Sequence, residues 1–191
     1  MRQFILIMVA GAVTENLLFA RAFGVDRIID RSRSYKKILS FGLMYCFTVC
    51  LGSVFAWEVR SWFETIWWWN DVRGLMVLLC IIVSYFILLC IVGFDRVKST
   101  DSAPVVVAFN GASFGAVFLS IANYQKLLEI LTYCLGCSVG ITVAMMLVHS
   151  GRERLEVSRI HKSFAGIPIT MIYIGILGLA VYGLMGHRLP T

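Results

Sequence analysis

With 191 residues, 59% of them hydrophobic and 15% charged, and a mean hydropathy of +0.83, the chain is too apolar for a water-soluble domain. It reads as an all-α polytopic membrane protein. The formal charge of +6 is spread over the segments between apolar stretches and forms no long basic run with interleaved aromatics, so no nucleic-acid partner is expected. There is also no Ser/His/Asp set, phosphate-binding loop or dinucleotide glycine pattern, which leaves no autonomous catalytic site to assign.

Crossing the hydrocarbon core takes about 20 apolar residues in a helix. Six stretches qualify, at about 3–22, 38–57, 74–94, 103–122, 127–149 and 166–186, and they make a single transmembrane domain over 1–191. The first stretch has only Arg2 as a basic flank and runs on into polar residues with no Ala-x-Ala-like site, so it is expected to stay in the mature protein. It also carries Glu15, Asn16 and Arg21 where a plain anchor would be apolar. A charge at the bilayer centre costs roughly 2.5–3.5 kcal/mol on insertion scales, so such residues face protein, water or a partner.

The segment after helix one holds Arg27, Arg31, Arg33, Lys36 and Lys37. The loop after helix three adds Arg96 and Lys98, and the one after helix five adds Arg152, Arg154, Arg159 and Lys162. Against these eleven, the opposite side has five: Arg2, Arg60, Arg73, Lys126 and Arg188. The positive-inside rule then puts the odd-numbered loops in the cytoplasm and both termini outside it. Trp57, Trp62, Trp67, Trp68 and Trp69 cluster in or beside the loop after helix two, as an interfacial aromatic belt would.

Helices one and four are the least regular, with Thr14-Glu15-Asn16 and Phe23-Gly24 in the first, and Pro104 then Phe109-Asn110-Gly111-Ala112-Ser113-Phe114-Gly115 in the fourth. They hold corresponding places in a 3+3 division of the chain. An odd number of spans per half makes that division an inverted repeat, the arrangement of many transport proteins. Backbone freed at membrane depth must be satisfied by protein or by a water-lined cavity, so the two interrupted segments are expected to meet. Gly111/Gly115 and Gly136/Gly140 are GxxxG pairs that permit close helix contact, and we read them as internal packing.

Glu15-Asn16 through Arg21 and Gly24, Asn110 with Ala112 and Gly115, and Gly151-Arg152-Glu153-Arg154-Leu155 followed by Phe164-Ala165-Gly166 together resemble one family. It contains the Rnf A protein of the Rnf electron-transport complex and the Nqr E protein of Nqr, the sodium-pumping NADH:quinone reductase. The resemblance runs nearly full length. It implies a multi-pass protein of the bacterial inner membrane, built into an ion-translocating electron-transport complex. The partners it implies are an opposite-topology homologue of the Rnf E or Nqr D type, the other complex subunits, and Na⁺ or H⁺.

In that family two cysteines from each partner hold a [2Fe-2S] cluster near mid-membrane. The matching positions here are Asp26 and Gly111. Cluster iron is held by thiolates, so no cofactor is expected on this chain. It is then either a divergent member of such a complex, a paralogue that kept the fold without redox chemistry, or a protein that binds a cluster elsewhere. For the last, Cys46 with Cys50 and Cys134 with Cys137 each lie on one helix face, at equivalent places in the two halves. Four thiolates would suit zinc or iron–sulfur chemistry, although buried cysteines in helix packing serve as small hydrophobes.

The candidates for an ion pathway or core are Glu15, Asn16, Arg21, Asp26 and Asn110. Glu15 is either an ion or proton carboxylate or a bonding partner of freed backbone. Arg21 is read as snorkelling to the interface, and Asp26 as a gating or pairing group with Arg27. Asn16 and Asn110 can satisfy both donors and acceptors of broken helices. The loop charges Asp95, Arg96 and Lys98 and the Arg152-Glu153-Arg154 cluster suit headgroup or subunit docking. The alternative function is a stand-alone membrane transporter or scaffold on the same fold, perhaps homodimeric, with no redox partner.

Overall fold

The computed structural model describes residues 2–24, 35–92, 110–157 and 164–184 and places six helices among them, with no strand among the described residues. They are α1 (Arg2–Val9, continued by a π-helical turn, Ala10–Thr14), α2 (Tyr35–Phe63), α3 (Trp69–Val92), α4 (Gly111–Asn123), α5 (Leu127–Val157) and α6 (Ile167–Leu184). Three of them, α2, α3 and α5, are long and apolar enough to cross a membrane. The other three are shorter apolar helices.

The directions follow from named contacts. Gln3 Nε2 donates to Glu129 Oε1 at 3.4 Å, Gly136 abuts the Met8 carbonyl and Gly140 the Ala12 carbonyl, so α1 runs parallel to α5. Tyr35 meets Glu153 at one end of α2 and Trp57 meets Gln125 near the other, so α2 runs antiparallel to α5. Tyr45 bonds Ala112 and Arg60 bonds Tyr124, so α4 runs parallel to α2. Arg73 sits over Phe118 and Gly74 near Phe114, which makes α3 antiparallel to α4.

The core is apolar and tightly packed, with Phe41, Tyr45, Val49, Val117, Ile130, Tyr133, Ile141 and Val148 fully or almost fully buried. Outward faces are also apolar: Leu43, Leu75, Ile91, Val139 and Leu179 are exposed. A protein in lipid shows this inversion of the usual surface, because acyl chains solvate Leu and Ile as well as a core does. Buried hydroxyls are satisfied inside their own helices: Ser53, Ser84, Ser120 and Ser138 donate to the carbonyls of Cys50, Cys80, Val117 and Cys134.

Two charged positions placed in loops by the sequence are helical. The α5 helix continues past His149 through Arg152-Glu153-Arg154 to Val157, held by the Tyr173 ring lying against Gly151 and by the His149–Glu153 pair one turn apart, 3.4 Å. Arg60 falls within α2. Trp57 also departs from the belt: it packs against the core and its indole donates to the Gln125 carbonyl at 3.0 Å. Trp62 and Trp67 are 78% and 90% exposed, as interfacial anchors require. Asp95, Arg96, Lys98, Pro104 and Arg27 lie outside the described residues.

Candidate functional site

Two of the shorter helices meet inside the bundle, where α1 and its π-turn end and α4 begins. Ala12 packs on Gly140, thirteen residues into α5, roughly 20 Å along it at 1.5 Å per residue. Ala112 meets Tyr45, ten residues into α2, roughly 15 Å along. Helix one is thus interrupted at this depth, and the described part of helix four starts there; 103–109, before it, lie outside the described residues.

Each break is organised by an asparagine. The Asn16 carboxamide oxygen accepts from Leu18 N at 3.1 Å and Phe19 N at 3.3 Å, while its Nδ2 donates to the Ala12 carbonyl at 2.9 Å. One side chain thus closes a helix end and opens the next turn. Asn110 is the N-cap of α4, its oxygen accepting from Ala112 N at 3.1 Å, the arrangement that serves orphan amides at helix starts. The bond from residue i to the amide of i+2 is common to both. Asn110 Nδ2 is buried and has no hydrogen-bond partner among the described residues. Removing either oxygen leaves buried amides unbonded, at about 1–3 kcal/mol. Asn16→Ala should therefore lower the thermal stability of the detergent-extracted protein, with Asn16→Asp nearer to wild type; equal melting of all three would contradict this assignment.

The two breaks touch. Phe23 lies on Gly115, where a Cβ would overlap its ring, and Gly24, at φ +83°, sits 3.3 to 3.5 Å from Ala112, Ile141 and Asn110, measured from the position of an added Cβ. Glycine is required there both for φ and for space. Ala22 holds φ +55° without being glycine, and such strained residues cluster at functional sites. On α5, Gly136 and Gly140 let the backbone of α1 and its π-turn lie directly on the helix. Their GxxxG is internal packing, as expected, and so is Gly115.

Glu15 is half-buried at the end of the π-turn, and its Oε2 accepts from the Tyr133 hydroxyl at 2.6 Å. Side chains on a helix lean toward its N-terminus, so Glu15 reaches back along α5 to the buried Tyr133. Tyr124, in the α4–α5 connection, stacks obliquely on Tyr133 with centroids 5.3 Å apart. Burial and the nearby Glu15 carboxylate push its phenol above the ordinary tyrosine range. Arg21 is exposed and lies beyond this cluster. Asp26 lies outside the described residues.

Two site residues gave no signal in the sequence. Nothing in the spacing around Tyr133 singles it out, and its partner is 118 residues away. Arg60 was counted only as a flanking charge. It donates from Nη1 to the carbonyls of Ile121, 2.8 Å, and Tyr124, 3.0 Å, and from Nη2 to Glu64, 3.0 Å. It thus closes the C-terminus of α4, where carbonyls lack helical partners and the dipole favours a cation. Arg60→Ala should destabilise the protein by about 2 kcal/mol in a denaturation experiment, with Arg60→Lys intermediate; an unchanged midpoint would contradict the capping role.

The cluster position on α4, Gly111, is exposed, and among the described residues an added Cβ would meet only the Phe23 ring, at 3.9 Å. With no thiolate there, the described residues do not fit a [2Fe-2S] ligand set. The other candidate set is Cys46 and Cys50 on α2 with Cys134 and Cys137 on α5. The thiol of Cys134 lies beside Ser53 and Ser120, and that of Cys46 beside Cys50 and Ser138. Among the described residues no group of three or more His, Cys, Asp and Glu is placed to hold a metal ion. His149 is engaged by Glu153 and edge-on to Tyr35, centroids 4.7 Å apart.

Comparison with known proteins gives one result throughout. A family model described as "Rnf-Nqr subunit, membrane protein" matches residues 4–188. The chain is 25% identical, over 97% of its length and 98% of the relative's, to the subunit designated A in the ion-translocating oxidoreductase complex of Syntrophotalea carbinolica. It is 24% identical, with the same coverages, to the proteins of that name from Vibrio atlanticus and Vibrio cholerae (strain N16961).

Proposed function

Because the chain belongs to the Rnf-Nqr family of membrane subunits, we propose that it is a subunit of an ion-translocating oxidoreductase complex. In this reading it crosses the bacterial inner membrane six times as a 3+3 inverted repeat with both termini outside, and supplies half of a pseudo-symmetric core. The other half is an opposite-topology homologue. The observation that carries the reading is the meeting of two asparagine-organised helix breaks at mid-bundle depth, in a chain whose relatives are named as complex subunits. The alternating directions of α1 to α5 support the six crossings, and the matching i to i+2 bonds of Asn16 and Asn110 support the repeat.

Within that core, Glu15 is the carboxylate on the ion path, for Na⁺ or H⁺, with Tyr133 orienting it. An ionisable group at this depth that faces the bundle interior marks such a path. Electrons pass through other subunits, since Gly111 supplies no ligand at its position. The alternative of a stand-alone transporter or scaffold draws no support from the relatives, all named as complex subunits. Mild-detergent isolation of the tagged chain from native membranes, followed by mass spectrometry, tests the proposal. Flavin-binding and iron–sulfur subunits should copurify with a homologous membrane protein; isolation of the chain alone, or only with itself, would reject it.

A further inference from the structure

A cavity of about 300 Å³ opens between α2, α3 and α4, at the end of the bundle where α2 passes into α3. Glu15, Tyr133 and Gly111 are not among the residues that line it. Its lining mixes apolar side chains, Val77, Ile121 and Phe118 among them, with the polar Arg60, Glu64, Asn70 and Arg73. Arg60 and Glu64 neutralise one another at 3.0 Å. Arg73 is different: it is held over the Phe118 ring, 4.9 Å from its centroid, and among the described residues no carboxylate pairs with it. Among the described residues Arg73 is therefore the lining cation without a carboxylate partner, and it lies against an aromatic ring.

The depth of Arg73 is set by aromatic residues. Trp69 lines the cavity, and the exposed Trp62 and Trp67 on the same connection are residues that settle at the headgroup level. A cation there, next to an apolar slot, matches an amphiphile with one negative charge on its head and hydrocarbon behind it. A guanidinium is also the side chain best shaped for phosphate oxygens.

We propose that this cavity is a binding site for an anionic phospholipid, with the phosphodiester on Arg73 and the upper acyl chain against Val77, Ile121 and Phe118. The bound lipid would fasten α3 to α4 across the end of the bundle. This stands apart from the ion-path reading and would survive its failure.

The test is native mass spectrometry of the full-length chain in its detergent-extracted complex, delipidated and then titrated with phosphatidylglycerol, phosphatidylcholine or glycerol 3-phosphate. Phosphatidylglycerol should be retained about tenfold more than phosphatidylcholine. Arg73→Gln should abolish that preference, Arg73→Lys should keep most of it, and Lys126→Gln, which removes an exposed cation from the same end of the bundle, should leave it intact. Equal retention by wild type and Arg73→Gln would overturn the proposal. So would displacement of the lipid by equimolar glycerol 3-phosphate, which would mark a site for soluble phosphate. Failure of the intact complex to take up any lipid would mean that a neighbouring protein closes the cavity, and would overturn it too.

Discussion

Substituting valine for Gly140 should prevent the first helix from docking and cost about 3 kcal/mol or more, the upper range for forcing bulk into a packed interior. A Cβ at Gly140 would stand 2.6 Å from the Ala12 carbonyl oxygen, and one at Gly136 would overlap the Met8 carbonyl. The obstructing atoms are backbone, which cannot rotate aside. Everything downstream of that contact depends on it: the π-turn, Glu15's approach to Tyr133 and the turn at Asn16. We expect little folded Gly140→Val protein by fluorescence-detected size exclusion. Gly175→Val is the control, since nothing lies within 4 Å of a Cβ at Gly175, and it should accumulate as wild type. Equal yields of the two variants would show that α1 is not packed on α5 as described.

Glu15→Gln should leave assembly intact and reduce ion movement by about a hundredfold, the lower end of what a positioned proton-transfer group contributes. Glutamine keeps the length of the side chain and can still accept from the Tyr133 hydroxyl, so the bond at 2.6 Å has a successor and the fold has no reason to fail. Tyr133→Phe separates the two roles of the pair. It keeps the charge, removes one charge-assisted hydrogen bond worth about 1.5–3 kcal/mol, and should lower the rate less than Glu15→Gln does. The measurement is electron-driven Na⁺ or H⁺ uptake by vesicles containing the reconstituted complex. Full activity of Glu15→Gln would remove Glu15 from the path.

The parts of this architecture that could be read from sequence are those set by short-range chemistry. A run of apolar residues long enough to cross the bilayer is visible as such, and so is its interruption by Thr14-Glu15-Asn16 or by Asn110-Gly111, because asparagine and glycine act on backbone two or three residues away. The contact of the turn after α1 with the start of α4 is in keeping with the need to satisfy freed backbone away from water. What could not be read depends on register between distant helices. Tyr133 becomes Glu15's partner only because Gly11, Gly136 and Gly140 bring α1 within backbone contact of α5. Arg60 becomes a cap only because α4 stops beside it.

Charge was misleading in two places for one reason. Arg60 and the Arg152-Glu153-Arg154 segment were placed in loops because charged residues end an apolar run. A helix can project past the hydrocarbon layer, and here α2 and α5, of 29 and 31 residues, exceed the roughly 20 needed to cross it. The four cysteines at 46, 50, 134 and 137 were read from spacing as a ligand set or as packing residues, and their thiols neighbour one another and serine hydroxyls, Cys46 beside Cys50 and Ser138, Cys134 beside Ser53 and Ser120.

The central claim is that the crossing of the two broken helices is half of a core completed by a homologous membrane protein. Gly111 is the place to test it, being exposed at that crossing with room for a side chain. A photoreactive benzoylphenylalanine at position 111, irradiated in native membranes, should give one major adduct, with a homologous membrane component of the complex, identified by mass spectrometry. Adducts with lipid alone, or with a second copy of this chain, would contradict the account.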